Sequence, residues 1–185
     1  MNSKFIFSVL LCALFFTSCK EDTLPKPRAM LRLEYPKTEY GKLSTENFEF
    51  QRNHLAKVKI QDQNALSLNY PGMKGAIFIN YKRVNGNLNK LLSDAQRLSY
   101  EHAAKADGIK QQEFLNTKDK VYGMFYAVSG DAASQAQFYA TDSTEHFVMG
   151  SLYFYARPNY DSIYPAASYL QEDMGRILET LKWRN

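Results

Sequence analysis

From Ala29 onward the apolar residues follow two rhythms. In "AMLRLEYP", Leu31, Leu33 and Tyr35 fall on one side and Arg32 and Glu34 on the other. "NFEFQ" repeats the alternation with Phe48 and Phe50, and "LSLNY" repeats it with Leu66, Leu68 and Tyr70. Successive side chains of a strand point to opposite faces, so each run predicts a strand with one face buried. "KGAIFINYKRV" is apolar at consecutive positions in its centre, as a strand covered on both faces would be.

The rhythm then changes. In "NLNKLLSDAQRLSYEHAAKADG", Leu88, Leu91, Leu92, Ala95, Leu98 and His102 recur at helical spacing on one stripe, and Gly108 is placed to end the helix. "EFLN", "KVYGMFYAVSG", "ASQAQFYATDS" and "EHFVMGSLYFYARP" return to strands, with Gly130-Asp131 and "TDSTE" as hairpin turns. A closing helix spans roughly Tyr164 to Trp183 on a stripe of Leu170, Met174, Ile177, Leu178 and Leu181. Pro165 falls in its first turn, and Asp161 or Ser162 is available as a cap. Strands, a helix, a strand meander and a last helix predict an α+β domain, an antiparallel sheet with helices packed on it.

The N-terminus follows neither rhythm. Lys4 precedes "FIFSVLLCALFF", twelve uncharged residues. That is shorter than the roughly 20 residues a membrane-spanning helix needs. A basic start, an apolar run of this length and the small Thr17 and Ser18 describe a secretory signal cut before Cys19. Cys19 is therefore read as the lipid-acceptor cysteine of a bacterial lipoprotein, although Phe16 stands where a branched aliphatic residue is usual. A Cys12–Cys19 disulfide is disfavoured, because Cys12 lies in the run that would be removed. Residues 1–18 are then a signal peptide, and 19–28 are the lipidated cysteine with a tether stiffened by Pro25 and Pro27. Residues 29–185 form a single domain, since about 165 residues suffice to bury one core.

Composition narrows the function. The formal charge is +4 and falls to +3 when Lys4 is lost, with basic residues scattered among nearly as many acids. A nucleic-acid partner needs a clustered basic footprint instead. Loss of Cys12 leaves one cysteine, the acylated one, so neither a disulfide nor a cysteine metal site is expected. The three histidines, His54, His102 and His146, lack metal-site spacing, and His102 reads as a core residue of the helix stripe. There is no G-x-S-x-G elbow, no phosphate loop and no dinucleotide fingerprint, and Asp131 and Asp142 stand at opposite ends of one predicted strand. No enzyme, cofactor or metal is expected.

The mature chain is rich in tyrosine. Tyr122 and Tyr126 share a face with Met124, and Tyr153 and Tyr155 share a face of the last long strand. Such rings offer contact area with a polar tip, so these four are the candidate binding face for a peptide, glycan or lipid. The plainer alternative, a sheet face covered by a helix with the hydroxyls at its rim, is favoured.

Several segments together resemble the gliding motility lipoprotein GldD family. They are "PKPR" after the cysteine, "EYP", "EHAAKADGI", the long "VYGMFYAVSGDAASQAQFYATDSTEHFVMGSLYFYARPNYDSIYP" and the closing "ETLKW". The resemblance covers nearly the whole mature chain. It implies a membrane-anchored, non-enzymatic component of gliding motility associated with type IX protein secretion. Its expected partners are the bilayer, through acylated Cys19, and other gliding and secretion proteins of the envelope. Lys20 after the cysteine, in place of aspartate, points to the outer membrane, and a poorly acidic "KED" favours its periplasmic face over the cell surface. The element order, with "MGSLYF…PNYDS…P" leading into a final helix, is also similar to PsbP-like α/β/α sandwiches.

Overall fold

The structure, a computed structural model, describes residues 35–102, 106–155 and 159–184. The chain divides into two units, Met1–Met30 and Leu31–Asn185, and all described residues belong to the second. Cys19, the tether and most of "AMLRLEYP" lie outside the described residues, and Tyr35–Glu39 belong to no strand or helix.

Among the described residues ten strands and two α-helices follow in the order β1 (Tyr40–Ser44), β2 (Phe48–Asn53), β3 (Lys57–Ile60), β4 (Ala65–Tyr70), β5 (Gly75–Arg83), α1 (Leu88–His102), β6 (Ala106–Asn116), β7 (Val121–Gly130), β8 (Ala136–Thr141), β9 (His146–Phe154), α2 (Tyr160–Thr180) and β10 (Lys182–Trp183). Seven strands form one sheet, ordered β3-β4-β5-β9-β8-β7-β6, and β1-β2-β10 form a second. Every pairing is antiparallel. This is the α+β class that the two rhythms predict.

Both faces of the large sheet are apolar. Leu66, Leu68, Ile77, Ile79, Phe138, Val148 and Leu152 turn one face toward the stripe of α2 and toward Phe48 and Phe50 of the small sheet. The other face presents Tyr139, Phe147 and Met149 to Leu88, Leu91, Leu92 and Ala95 of α1. β5 and β9 run through the centre of the sheet and are apolar on both sides, hence the continuous run in "GAIFI". Gly150 is required by this packing, because the Phe138 ring on the neighbouring strand fills the space a Cβ there would need.

Several boundaries differ from the pattern reading. Gly108 lies inside β6, opposite Ser129, and does not end a helix. The alanines and Lys105 of "EHAAKADG" favour helix, but pairing with β7 holds Ala106–Asn116 as a strand. The inward position near the end of α1 is Ser99, buried, whereas Leu98 is half-buried. α2 begins four residues earlier than its periodicity indicates and stops at Thr180, so Leu181–Trp183 leave the helix and Trp183 pairs with Phe48.

The early start of α2 has a local cause. Asp131, in the turn after β7, accepts a hydrogen bond from the backbone N–H of Tyr160 at 2.8 Å. A carboxylate there meets the positive end of the helix dipole and an otherwise unpaired donor. Asn159, at the cap position, makes no side-chain bond of its own. Pro165 consequently sits inside the helix beyond its first turn, where it has no N–H to give to the helical ladder.

Gly175 is the one glycine of α2. Glycine within a helix costs roughly 0.5–1 kcal/mol relative to alanine. Among the described residues nothing lies within 4 Å of the position its Cβ would take, so their packing does not call for it.

Asp131→Ala should remove the cap of α2 at a cost of about 1 kcal/mol. For a chain of this size that lowers the melting temperature by about 2–4 °C, measurable by circular dichroism. An unchanged melting temperature would show that Asp131 does not hold the helix start.

Candidate functional site

The four tyrosines singled out by sequence do not form one patch. Tyr122 and Tyr126 do share the α1-facing side of β7, in register with Thr141 and Gln137 of β8. Tyr126 is buried, with the ring of Tyr100 from α1 edge-on at 6.5 Å. Burial, with Tyr139 and Tyr100 adding to it, pushes its hydroxyl up to about 12. Tyr153 is on β9, beyond β8, and its ring meets Phe78 edge-on at 5.8 Å. Tyr155 lies past the end of β9, is 65% exposed and donates to Asn69 Oδ1 at 3.1 Å.

α1 explains the separation. Its first half packs on Phe147 and Met149, Ser99 donates to Gln137 Oε1 at 3.1 Å, and the Tyr100 hydroxyl accepts from Gln111 Nε2 at 2.7 Å. The helix therefore runs obliquely from β9 across β8 and β7 to β6. Tyr122 is left on one side of it and the Phe78–Tyr153–Tyr155 corner on the other.

The polar cluster that the fold does assemble surrounds Asp173, a buried acid on α2 that pattern reading passes over. Tyr40 donates to its Oδ1 at 2.8 Å, and Asn53 Nδ2 donates to its Oδ2 at 2.9 Å. The second Asn53 Nδ2 proton goes to the Tyr169 hydroxyl at 3.0 Å, and Tyr169 in turn donates to the Pro36 carbonyl at 3.1 Å. Asn53 Oδ1 accepts from Leu55 N–H at 3.0 Å. The buried Tyr70 hydroxyl interacts electrostatically with Asp173 but makes no hydrogen bond of good geometry.

The donors around Asp173 are neutral, and the nearby guanidinium is engaged elsewhere. Arg176 gives Nε and Nη2 to Gln51 Oε1 at 3.1 and 2.7 Å and lies 5.5 Å over the Tyr40 ring. Burial raises the Asp173 carboxyl, and the bonds from Asn53 and Tyr40, with the nearby Tyr70 hydroxyl, reduce that rise without cancelling it. Burial, then Asp173, pushes the Tyr40 hydroxyl up to about 12. A carboxylate so well enclosed, 1% exposed, clasps the groups around it.

What it clasps is the segment by which the chain enters the domain. Tyr40 bonds Asp173, the Pro36 carbonyl accepts from Tyr169, and the Tyr35 ring lies 5.2 Å from that of Tyr169. A small apolar cavity of about 190 Å³ opens beside this segment between Tyr35, Leu55, Tyr70 and Met73.

The other candidate groups have local roles. His54 lies in the turn after β2, with its ring over Gly41. His146 is buried, takes part in a 2.9 Å hydrogen bond between its Nδ1 and Tyr81 Oη, and stacks on Trp183 at 5.1 Å. The side chain of His102 lies outside the described residues. Asp142 closes the β8–β9 turn: burial raises its carboxyl, but N–H groups of His146, Thr144 and Glu145 outweigh that and hold it low. Among the described residues no group of three His, Cys, Asp or Glu side chains converges as a metal ion requires, and no helix is long and apolar enough to cross a membrane.

A family model, that of the gliding motility lipoprotein GldD, matches residues 20–183. No curated protein matches the chain.

Because folding raises the Asp173 carboxyl above its ordinary 3.8, the folded chain holds that proton more tightly than the unfolded chain. The residue therefore costs stability progressively as pH rises from about 3.8 through the raised value. Asp173→Asn removes this term. Its melting temperature relative to the wild type should climb between pH 4 and pH 7 in a fluorescence-monitored series, and a pH-independent difference would refute the assignment.

Proposed function

The chain belongs to the gliding motility lipoprotein GldD family, and on that premise we propose that it is a membrane-anchored, non-enzymatic docking component of the gliding apparatus, associated with type IX protein secretion. The observation that carries this reading is the family match itself, which begins one residue after Cys19 and runs to the last strand. A lipoprotein of this family is associated with the cell envelope. The finer assignment is our own. Residues 1–18 are a signal peptide, Cys19 is the acylated first residue of the mature chain, 19–28 form the tether, and 29–185 form the domain. The anchor lies in the outer membrane with the domain on the periplasmic face.

The clasp around Asp173 supports an anchored role. Pull on a tethered domain enters through the segment leading into β1, which is bonded to α2, an element of the main core, at Pro36 and at Tyr40, the first residue of β1. Two or more acyl chains give stable attachment, at about 0.8 kcal/mol per buried methylene. A second reading, a binding module for a peptide, glycan or lipid, draws on the Tyr153–Tyr155 corner, where the exposed Tyr155 ring adjoins Asn69. Tyr122 and Tyr126 contribute little to it, since Tyr126 lies under α1.

Cys19→Ala should abolish incorporation of labelled palmitate and move the protein from the membrane to the soluble fraction. Retained labelling would place the acylation elsewhere. Deletion of the gene should stop gliding and block release of type IX cargo into the medium, and normal cargo release in a non-gliding strain would sever the link to secretion.

A further inference from the structure

α2 does not cover the whole of its side of the sheet. Beside it, over β6 and β7, runs an open groove of about 510 Å³. Its floor is the half-buried Phe114 of β6 and Phe125 of β7, and its wall is one face of α2 with Gly175 in the middle and Leu178 below. Gly175 is the residue that packing within the domain does not require, since nothing stands within 4 Å of where its Cβ would be.

The groove borders a free sheet edge. β6 pairs only with β7, in unbroken register from Gly108 to Asn116, so its outer row of backbone N–H and C=O groups has no strand partner among the described residues. The opposite edge is guarded differently. β3 has four residues, two of them Lys57 and Lys59, a short charged edge that resists pairing. A long edge beside an apolar groove is the arrangement by which sheets accept an extended peptide, with backbone bonds giving affinity and the groove selecting side chains.

Charge points to the occupant. Glu172 and Glu179 rim the groove on α2, about 10 Å apart along the helix axis. Arg176 approaches Glu179 at 3.5 Å but is committed to Gln51, and Glu172 forms no ion pair among the described residues. We infer that this groove receives an extended segment of a partner protein, apolar at its centre and flanked by lysine or arginine, which joins the sheet as an additional strand beside β6. The inference rests on the reading of the domain as a docking component and names the surface and the chemistry of what docks.

The test uses the full chain in detergent and a fluorescent peptide, TKTVTKT, which places two lysines and a valine on one face of a strand. Binding should saturate, and it should be lost with the central proline of TKTPTKT or the acidic flanks of TETVTET. Gly175→Leu starts from a Cβ position with no described heavy atom within 4 Å and extends into the groove, and it should weaken binding by about tenfold or more, the scale of one well-placed contact. Gly175→Ala, a milder filling, should melt no lower than the wild type and still weaken the peptide. Equal binding of the three peptides, or full binding by Gly175→Leu, overturns the inference. So does a concentration-dependent dimer in sedimentation that Gly175→Leu abolishes, which would make a second copy the occupant. In cells, Gly175→Leu should remain acylated at Cys19 and membrane-bound while gliding and cargo release fail. Normal gliding in that strain overturns the groove alone, whereas normal cargo release on gene deletion overturns the docking function itself.

Discussion

A seven-stranded sheet that is apolar on both faces has to be covered on both, and the described residues supply two α-helices with which to do it. α1 takes one face and α2, with Phe48 and Phe50 of the small sheet, takes the other. Most of the remaining architecture follows from how far that cover reaches. β5 and β9, central in the sheet, are sealed on both sides, and their consecutive apolar residues reflect it. Toward β6 the cover runs out on the α2 side, leaving Phe114 and Phe125 half-buried at the base of an open groove. On the other side the oblique course of α1 leaves the Phe78–Tyr153–Tyr155 corner uncovered.

The second organising feature is a buried acid, Asp173, that forms no ion pair among the described residues. Removing a carboxylate from water is costly unless hydrogen bonds replace its hydration. Asp173 receives them from Tyr40 and Asn53, and Asn53 is itself satisfied through Tyr169 and Leu55. The partners come from β1, β2 and α2, so the acid makes the placement of the entry segment depend on the closing helix. At the other end of the small sheet Trp183 plays a comparable part. It stacks on His146 and donates its indole N–H to the Lys120 carbonyl at 2.9 Å, joining β10 to the β6–β7 turn. Both ends of the folded chain are thus tied into the same layer as α2.

The elements legible in the sequence were those whose burial pattern is strong and local. Phe48 and Phe50, Leu66 and Leu68, and the centre of β5 alternate or run together because a core lies against them, and the α2 stripe of Leu170, Met174, Ile177 and Leu178 is buried as its spacing indicates. The strands that pattern reading left out or shortened, β1, β3 and most of β6, are edge strands with little buried area and many polar or charged residues. Their pairing is decided by the neighbour strand's free backbone groups, which leave no mark on side-chain periodicity. The start of α2 was misplaced for a similar reason, since its cap, Asp131, comes from a turn 29 residues away.

Residue order alone determined the α+β class, most of the α2 stripe and the first half of the α1 stripe, the meander from Val121 to Phe154 and the resemblance that the family match bears out. These are properties of local periodicity and of motif identity, both carried by neighbours in the chain. Only the tertiary structure decided that Tyr126 is covered while Tyr155 is exposed, that Asp173 clasps the entry segment, and that, among the described residues, Gly175 faces open space beside an edge strand with one partner. Each of these depends on groups brought together from distant parts of the chain, and periodicity along the sequence holds no information about which face a distant helix will cover.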